Sequence, residues 1–137
     1  MKLSTLVTSL LLVVSFSAQS AIRKLDLELY PQDIPGAIDT SNQGEVYDER
    51  FNDRFITAIS KPSLTLYLPE NKSVEKTVII CPGGGYFGVS SIKEGQEVAE
   101  RFAANGVAAA VLWYRMPNPA NMEVPHQGPL QDLQQAF

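Results

Sequence analysis

Four stretches of the chain have the hydrophobic pattern of β-strands. Residues 22–30 and 62–69 alternate apolar and polar side chains, with leucine at every second position, which predicts strands with one face in the core. Residues 77–81 and 107–114 are continuously apolar, which is typical of strands buried on both faces of a parallel sheet. Because only the charged segment 70–76 separates the second and third strands, we expect these two to pair as a hairpin.

Two further stretches have the spacing of amphipathic helices. Residues 94–106 end in Asn105-Gly106, a signal for a left-handed C-cap, and residues 129–137 begin with proline, which is favoured at the first helical position. One helical stripe in each is apolar: Val98, Ala99 and Phe102 in the first, and Leu130, Leu133 and Phe137 in the second. Strand, helix and strand in this order predict a right-handed βαβ unit with parallel strands, so the fold class is α/β.

Residues 1–21 have the layout of a secretory signal peptide. Lys2 supplies a positive start, residues 6–16 are mostly apolar, and small residues around Ser20 and Ala21 fit the site where a signal peptidase cuts. The apolar run is too short for a membrane span, which needs about 20 residues. We therefore expect a secreted or periplasmic protein that has no membrane partner after cleavage.

The mature chain divides into an extension and a domain. Residues 22–60 are predicted to be an N-terminal strand-and-loop extension, with the polar residues 41–53 as loop. Residues 61–137 hold the predicted βαβ unit and form the α/β domain. Of the 137 residues, 45% are hydrophobic and 19% are charged, which is a globular composition rather than a disordered one.

Charge and residue counts exclude several classes of function. The net charge of −4 argues against a nucleic-acid partner, and the chain has no run of Lys and Arg to overrule it. A single cysteine, Cys81, excludes an internal disulfide framework. One cysteine and one histidine, His126, make no metal-ligand set, so we expect neither a metal nor another cofactor.

The most informative stretch follows the third strand, where Pro82 leads into Gly83, Gly84 and Gly85. Three glycines at the carboxyl end of a strand allow positive φ angles and leave main-chain N–H groups uncovered. Such groups can hold the oxyanion that develops in acyl transfer, and they can also hold a phosphate. The choice between these two anions decides the function.

Nucleotide binding is the weaker of the two alternatives. Gly83-x-Gly85-x-x-Gly88 matches the dinucleotide fingerprint, but a lone match of this kind has little specificity. The fingerprint also requires an acidic residue about 20 residues on, at the end of the second strand. That strand ends at Tyr114-Arg115 and has no carboxylate there. Only an NADP-binding version stays open, in which the arginine would hold the 2′-phosphate.

The oxyanion alternative is supported by a resemblance to a known family. The string from Val78 to Tyr86 is followed by Glu94-Gly95, Ala99, Gly106-Val107, Tyr114-Arg115, and then by His126 and the sequence Pro129-Leu130-Gln131-Asp132. This combination resembles the N-terminal part of α/β-hydrolase-fold esterases, in particular the secreted acetyl xylan esterases and feruloyl-esterase-like enzymes. The resemblance covers roughly residues 60–137. In related lipases and esterases an H-G-G-G motif supplies half of the oxyanion hole, and here Pro82 stands in the histidine position.

The resemblance implies a role for each residue that matches the motif. Gly83, Gly84 and Gly85 would lie at the oxyanion hole, and Tyr86 and Phe87 would line the substrate pocket. Arg115 and Asp132 would be structural partners that fix the loop before the last helix. The substrate would be an acylated polysaccharide or a small ester.

The residues that would carry out the reaction are missing from the sequence. The family needs a nucleophile in a G-x-S-x-G elbow, followed by an acid and a histidine. The nearest string, Gly88-Val89-Ser90-Ser91-Ile92, lacks the last glycine, so we interpret Ser90 and Ser91 as an N-terminal loop or a helix cap. His126 precedes the place of the catalytic base and is interpreted as a loop residue.

We therefore expect a truncated chain, the N-terminal half of an α/β-hydrolase-type sheet with antiparallel strands before its βαβ unit. Such a chain would carry the oxyanion element of a serine esterase and would be inactive alone. The alternative from another class is a non-catalytic, secreted carbohydrate-binding module. It would stack sugars on its aromatic side chains, Tyr86, Phe87, Trp113 and Tyr114.

Overall fold

The computed structural model describes residues 21–41, 44–72 and 75–137, which form an α/β fold with two sheets. Their strands are β1 (Ile22–Glu28), β2 (Gly44–Asp48), β3 (Asp53–Thr57), β4 (Ser63–Pro69), β5 (Thr77–Ile80), β6 (Gly88–Ser90) and β7 (Ala108–Trp113). Their α-helices are α1 (Glu97–Ala104), which continues a π-helical turn (Ser91–Gln96), and α2 (Gly128–Ala136), which follows a 3-10 turn (Pro125–Gln127). The signal peptide predicted for residues 1–21 lies outside the described residues, except for Ala21.

The larger sheet has the strand order β1-β4-β7-β5. β5 and β7 are parallel and are joined through α1, so the predicted βαβ unit is confirmed. The hairpin expected between β4 and β5 is wrong, because β7 lies between them and pairs antiparallel with β4. The first five residues of β7 are buried, and three of them are alanines. Small apolar side chains suit the middle of a sheet that is covered on both faces, so β4 and β5 flank this strand.

Helix α1 packs on one face of this sheet through alanine. Ala99 and Ala103 are buried against Tyr67 of β4 and against Ala109 and Val111 of β7. Phe102 was predicted to belong to the buried apolar stripe of this helix. That prediction is wrong, because Phe102 is 37% exposed. Small side chains allow a helix to approach a sheet closely, and this leaves the larger ones at the rim of the contact. The C-cap predicted from the sequence is confirmed, since Gly106 follows the helix with φ 78°.

The leucines of β1 and β4 lie on the opposite face of the sheet. Leu25 stands opposite Leu66 and Leu27 opposite Leu64 in the antiparallel register. These leucines were expected to face the core, but Leu25 is 46% exposed and Leu27 is 40% exposed, whereas Tyr67 is 3% exposed. The predicted inward face is therefore wrong for Leu25 and Leu27 of β1, whereas Leu64 and Leu66 of β4 are half-buried. Helix α1 covers the Tyr67 face, and the side-chain period of two puts the leucines on the other side.

The smaller sheet has the antiparallel order β2-β3-β6 and was largely missed in the sequence. Residues 44–48 were predicted to be loop, but they form β2, an edge strand whose polar composition gives no alternation to recognise. β6 has three residues and directly follows the glycine stretch. Its Val89 is fully buried against Ile59 and Met116. This contact joins the small sheet to the end of the large one, with the glycine stretch between them.

The α-helices have eight and nine residues. In the described ranges, no helix is both long enough and apolar enough to cross a membrane.

Candidate functional site

The glycine loop, residues 81–87, runs from the end of β5 to β6 along one wall of a cleft. The cleft has a volume of about 340 Å³, within the range of small-molecule sites, and Gly84 and Gly85 line it. The opposite wall comes from the end of β7 and from α2 with its preceding turn: Leu112, Tyr114, His126, Leu130 and Leu133. The walls of the cleft are therefore mainly apolar.

The main-chain N–H groups of Gly84 and Gly85 have no acceptor in the described part of the protein. The carbonyl of Gly83 accepts from the N–H of Ser90 at 2.9 Å, and the carbonyl of Gly84 accepts from the N–H of Phe87 at 3.2 Å. In a trans peptide, N–H and C=O point in opposite directions, and neither of these two loop peptides is cis. The N–H groups of Gly84 and Gly85 therefore point away from residues 87–90, and both glycines line the cleft.

The backbone of the loop adopts conformations that favour glycine. Gly84 has φ 148° and Gly85 has φ 61°. Tyr86 follows with φ 59°, a left-handed conformation that costs a residue with a side chain about 1–2 kcal/mol. Strain of this kind persists where surrounding contacts over-determine the backbone, and it collects at functional sites. It is consistent with a loop shaped for binding as well as for connection.

Contacts from two sides fix the first half of the loop. The Tyr114 hydroxyl donates to the Pro82 carbonyl at 2.6 Å. The pKa of Tyr114 is raised, mainly by burial and further by the charges of Tyr86, Cys81 and Glu94 nearby. The hydroxyl therefore stays protonated and can donate this hydrogen bond.

The N–H of Gly83 donates to Oε2 of Glu94 at 2.7 Å, so this group is already engaged within the protein. Of the three glycines predicted at the oxyanion hole, Gly84 and Gly85 keep their donors free among the described residues. That the three together form the hole stays a prediction.

The aromatic side chains named in the sequence take up different surroundings. Tyr86 is 62% exposed and lines the cleft, whereas Phe87, 64% exposed, packs against Phe55 with ring centroids 6.2 Å apart. Trp113 is half-buried, and its Nε1–H donates to Oγ1 of Thr65 at 2.8 Å. Tyr86 and Tyr114 are therefore the two of this group that border the cleft.

The N-terminus of the helix after the loop is occupied by a carboxylate of the protein. Asp53 is buried and accepts from the Ser90 hydroxyl and from the backbone N–H groups of Ile92 and Lys93, the latter two at 3.1 and 3.3 Å. The Ser90 Oγ accepts in turn from the N–H of Glu94, so the predicted cap at Ser90 is confirmed. A dinucleotide loop offers this helix end to phosphate, and here Asp53 fills it, which disfavours the NADP alternative.

These contacts give Asp53 a pH-dependent effect on stability. Burial by itself raises the pKa of the Asp53 carboxyl, but the hydrogen bonds from Ser90 and from the N–H groups of Arg54, Lys93 and Ile92 outweigh it and hold this pKa below its usual value. A lowered folded-state pKa contributes stability that is complete above the unfolded value, about pH 3.9, and is lost as the pH falls through the folded value.

We therefore expect Asp53→Asn to lower the free energy of unfolding by about 1–2 kcal/mol at pH 7, because the helix N-terminus and the Ser90 hydroxyl lose their charged acceptor. The difference between the variant and the unaltered protein should shrink as the pH is lowered below about 4. Urea unfolding at several pH values measures both quantities. A difference that stays constant with pH would show that the carboxylate charge does not stabilise this helix end.

Arg115 and Asp132 form a buried ion pair beneath the opposite wall of the cleft. Their side chains are 1% and 0% exposed, and Nη2 of Arg115 lies 2.8 Å from Oδ1 of Asp132. The backbone N–H of Arg115 donates to the same carboxylate at 2.8 Å, and its Nη1 donates to the carbonyl of Pro35 at 2.7 Å. The Tyr30 hydroxyl also donates to Asp132, and burial together with that carboxylate raises the pKa of Tyr30 to about 12. The pair thus ties the start of α2 to the segment after β7 and to residues 30–35.

The side chains near the loop contain no activated nucleophile in the described ranges. Ser90 and Ser91 use their hydroxyls as donors, to Asp53 and to the carbonyl of Arg54. Cys81 is exposed as a residue and borders the cleft. Partial desolvation of its thiol by neighbouring atoms raises the pKa of the thiol, which therefore stays protonated at neutral pH. No cluster of three or more potential metal ligands occurs among these residues either.

Two residues of the site had no functional signal in the sequence. His126 was interpreted as a loop residue, and it lies in the 3-10 turn that borders the cleft. Glu94 was named within the string that carries the family resemblance, and no role at the loop was predicted for it. Its contact with Gly83 depends on the π-helical turn, which starts at Ser91, before the region predicted to be helical.

Comparisons of the chain with known proteins found a similar solved structure but no matching family model and no matching curated protein. A crystal structure of a carboxylesterase candidate from Lactobacillus plantarum WCFS1 is similar, with 24% identity over 69% of this chain and a TM-score of 0.42. The chain spans about a third, 34%, of that protein's length. The chemistry of the cleft therefore has to follow from its own atoms.

Proposed function

We propose that this chain is the oxyanion-bearing part of a secreted, serine-type carboxylic-ester hydrolase that removes acetyl groups from plant polysaccharide. The observation that carries the proposal is the pair of N–H groups on Gly84 and Gly85, which border the cleft and have no acceptor among the described residues. The serine, the acid and the base of such an enzyme would come from outside these 137 residues, because the sequence contains no G-x-S-x-G elbow.

The electrostatics of the loop favour an oxyanion over a phosphate. The carboxylates of Glu94 and Asp53 stand on the side of the loop away from the cleft, and both already accept main-chain N–H groups. A fixed negative charge so close to the loop opposes a phosphate, which arrives with its full charge. The oxyanion of acyl transfer develops only in the transition state, where two preorganised donors stabilise it.

The size and the walls of the cleft support a small, uncharged acyl group. The volume of about 340 Å³ lies at the lower end of the range for ligand sites. Three leucines, Tyr114 and His126 line the wall that faces the glycines, and among the described residues no lysine or arginine borders the cleft to pair with a charged acyl group. An acetyl group meets these conditions, and the resemblance to acetyl xylan esterases supports the same substrate.

The proposal is tested on the native protein, isolated from its source with an antibody against residues 75–137. We expect it to hydrolyse p-nitrophenyl acetate and to release acetate from acetylated xylan, and we expect its intact mass to exceed that of this chain. A fluorophosphonate should label a serine in a peptide outside residues 1–137. The chain of residues 22–137, made alone, should show no turnover and no label.

Each result bears on a separate part of the proposal. Native protein that neither cleaves esters nor reacts with the fluorophosphonate would overturn the serine-hydrolase function. Labelling of Ser90 or Ser91 would overturn the claim that the nucleophile lies elsewhere. Cleavage of small esters without release of acetate from xylan would keep the chemistry and reject the polysaccharide substrate.

A further inference from the structure

Gly83 is held by hydrogen bonds on both of its peptide groups. Its N–H donates to Oε2 of Glu94 at 2.7 Å, and its carbonyl accepts from the N–H of Ser90 at 2.9 Å. Ser90 and Glu94 are themselves joined, since the N–H of Glu94 donates to Oγ of Ser90 at 3.2 Å. One short segment, residues 90–94, therefore forms hydrogen bonds to both peptide groups of the first glycine of the loop.

We infer that Glu94 is the positioning residue of the oxyanion loop, an inference that rests on the proposed function. The bond from Glu94 fixes the peptide plane before the Cα of Gly83, and the bond from Ser90 fixes the plane after it. Together they set both backbone torsions of Gly83, and these determine where the N–H of Gly84 points. Glycine populates positive and negative φ about equally, so without these bonds the Gly83–Gly84 pair would have more backbone conformations open to it, and its donors would be less firmly placed.

The structure leaves just enough room for this contact. A Cβ added to Gly83 would lie 2.8 Å from Oε2 of Glu94, so a side chain here would push the carboxylate away. The next residue along the helix, Gly95, is buried, and a Cβ on it would lie 3.1 Å from the Trp113 ring. This close packing anchors the backbone beside Glu94 to β7. The carboxylate thus connects the loop to the central strand of the sheet.

The kinetic test compares three variants of the native hydrolase. Glu94→Ala should lower kcat for ester hydrolysis by about 10-fold to 100-fold with little change in KM, because a misplaced group costs about that much. Glu94→Gln keeps an oxygen that can accept from Gly83, and we expect it to retain most of the activity. Glu97→Ala is the matched control, since Glu97 lies on the same helical segment and, among the described residues, forms an ion pair with Lys93 at 3.6 Å on the surface.

A second readout does not depend on catalysis. In the amide spectrum of the native protein, the N–H of Gly83 should exchange with solvent about tenfold faster in Glu94→Ala than in the unaltered protein, because its charged acceptor is gone. Glu94→Gln and Glu97→Ala should leave this exchange rate nearly unchanged. If the unaltered protein cleaves no ester, the proposed function fails, and the exchange rate still decides whether Glu94 holds the loop.

The positioning role is overturned by either of two results. The first is Glu94→Ala with the kcat of the unaltered enzyme. The second is equal loss of kcat in Glu94→Ala and Glu94→Gln, which would assign the effect to the charge of Glu94 and not to its hydrogen bond.

Discussion

Replacing Gly84 by alanine is expected to lower the kcat of the native hydrolase by more than 10²-fold. A Cβ at this position would lie 2.0 Å from the carbonyl oxygen of Gly88 and 2.9 Å from its carbonyl carbon, and neither atom belongs to a flexible side chain. The φ of 148° is also one that residues with a side chain rarely adopt. The loop must therefore change its path, and loss of one oxyanion donor alone costs about 10²–10³ in kcat.

Gly36→Ala provides the control for this substitution. Gly36 also has a positive φ, 64°, but a Cβ there meets nothing within 4 Å, and the residue is not part of the glycine loop. We expect this variant to keep the kcat of the unaltered enzyme and to pay only the modest backbone cost of a left-handed alanine. Initial rates with p-nitrophenyl acetate and melting temperatures of both variants make the comparison. A Gly84→Ala enzyme with an unchanged kcat would refute the assignment of this loop to the reaction.

The second large effect is expected for the buried ion pair. Asp132→Asn keeps the shape of the side chain but leaves the Arg115 guanidinium, 1% exposed, without its counter-charge. Breaking a buried pair by removing one partner costs about 3–5 kcal/mol, because the remaining charge stays buried. That is a large share of the about 5–15 kcal/mol by which proteins of this kind are stable. Urea unfolding followed by the fluorescence of Trp113 measures the loss.

Two further variants separate the buried pair from charge effects in general. Glu100→Gln removes the carboxylate of the surface pair with Lys24, whose side chains are 37% and 45% exposed. Pairs of this kind contribute about 1 kcal/mol or less, so this control should remain close to the unaltered protein. Replacing both buried partners, as Arg115→Met with Asp132→Leu, should recover part of the loss, because no uncompensated charge remains. Equal losses in the buried and surface variants would contradict the prediction.

The sequence predicts those elements whose own residues carry a clear period. β7 is a continuous apolar run, and α1 and α2 have helical spacing, so each was found close to its observed bounds. β2 and β6 were missed because an edge strand needs no apolar face and a strand of three residues is too short to show one.

Relations between elements were harder to predict than the elements themselves. A short connection made a β4–β5 hairpin reasonable, but pairing depends on which strand best tolerates burial on both faces, and that strand was β7. The inward face of β4 depended on the side to which α1 crosses over. Neither property is contained in the residues of β4 itself.

The site was predictable in composition and not in its supporting contacts. Three consecutive glycines after a strand indicate uncovered donors whatever the family, and the structure leaves two of them without an acceptor among the described residues. Glu94 lies eleven residues from Gly83, and only a helix that starts with a π-helical turn brings its carboxylate back to the loop. A sequence pattern cannot reveal that start, because the period of a single irregular turn is too short to measure.

The strand order also determines when the glycine loop can form as the polypeptide emerges from the ribosome. β5 finds its pairing partner in β7, so the strand that leads into the loop stays unpaired until residues 108–113 have been synthesised. β4 has one partner already available in β1 and must wait for the same six residues to gain the other. Such non-local pairing slows folding, because loop closure costs entropy before the contacts form. Until then the unpaired edges of β4 and β5 are exposed to other nascent chains, and the pairing of β7 with both strands lowers this risk of aggregation.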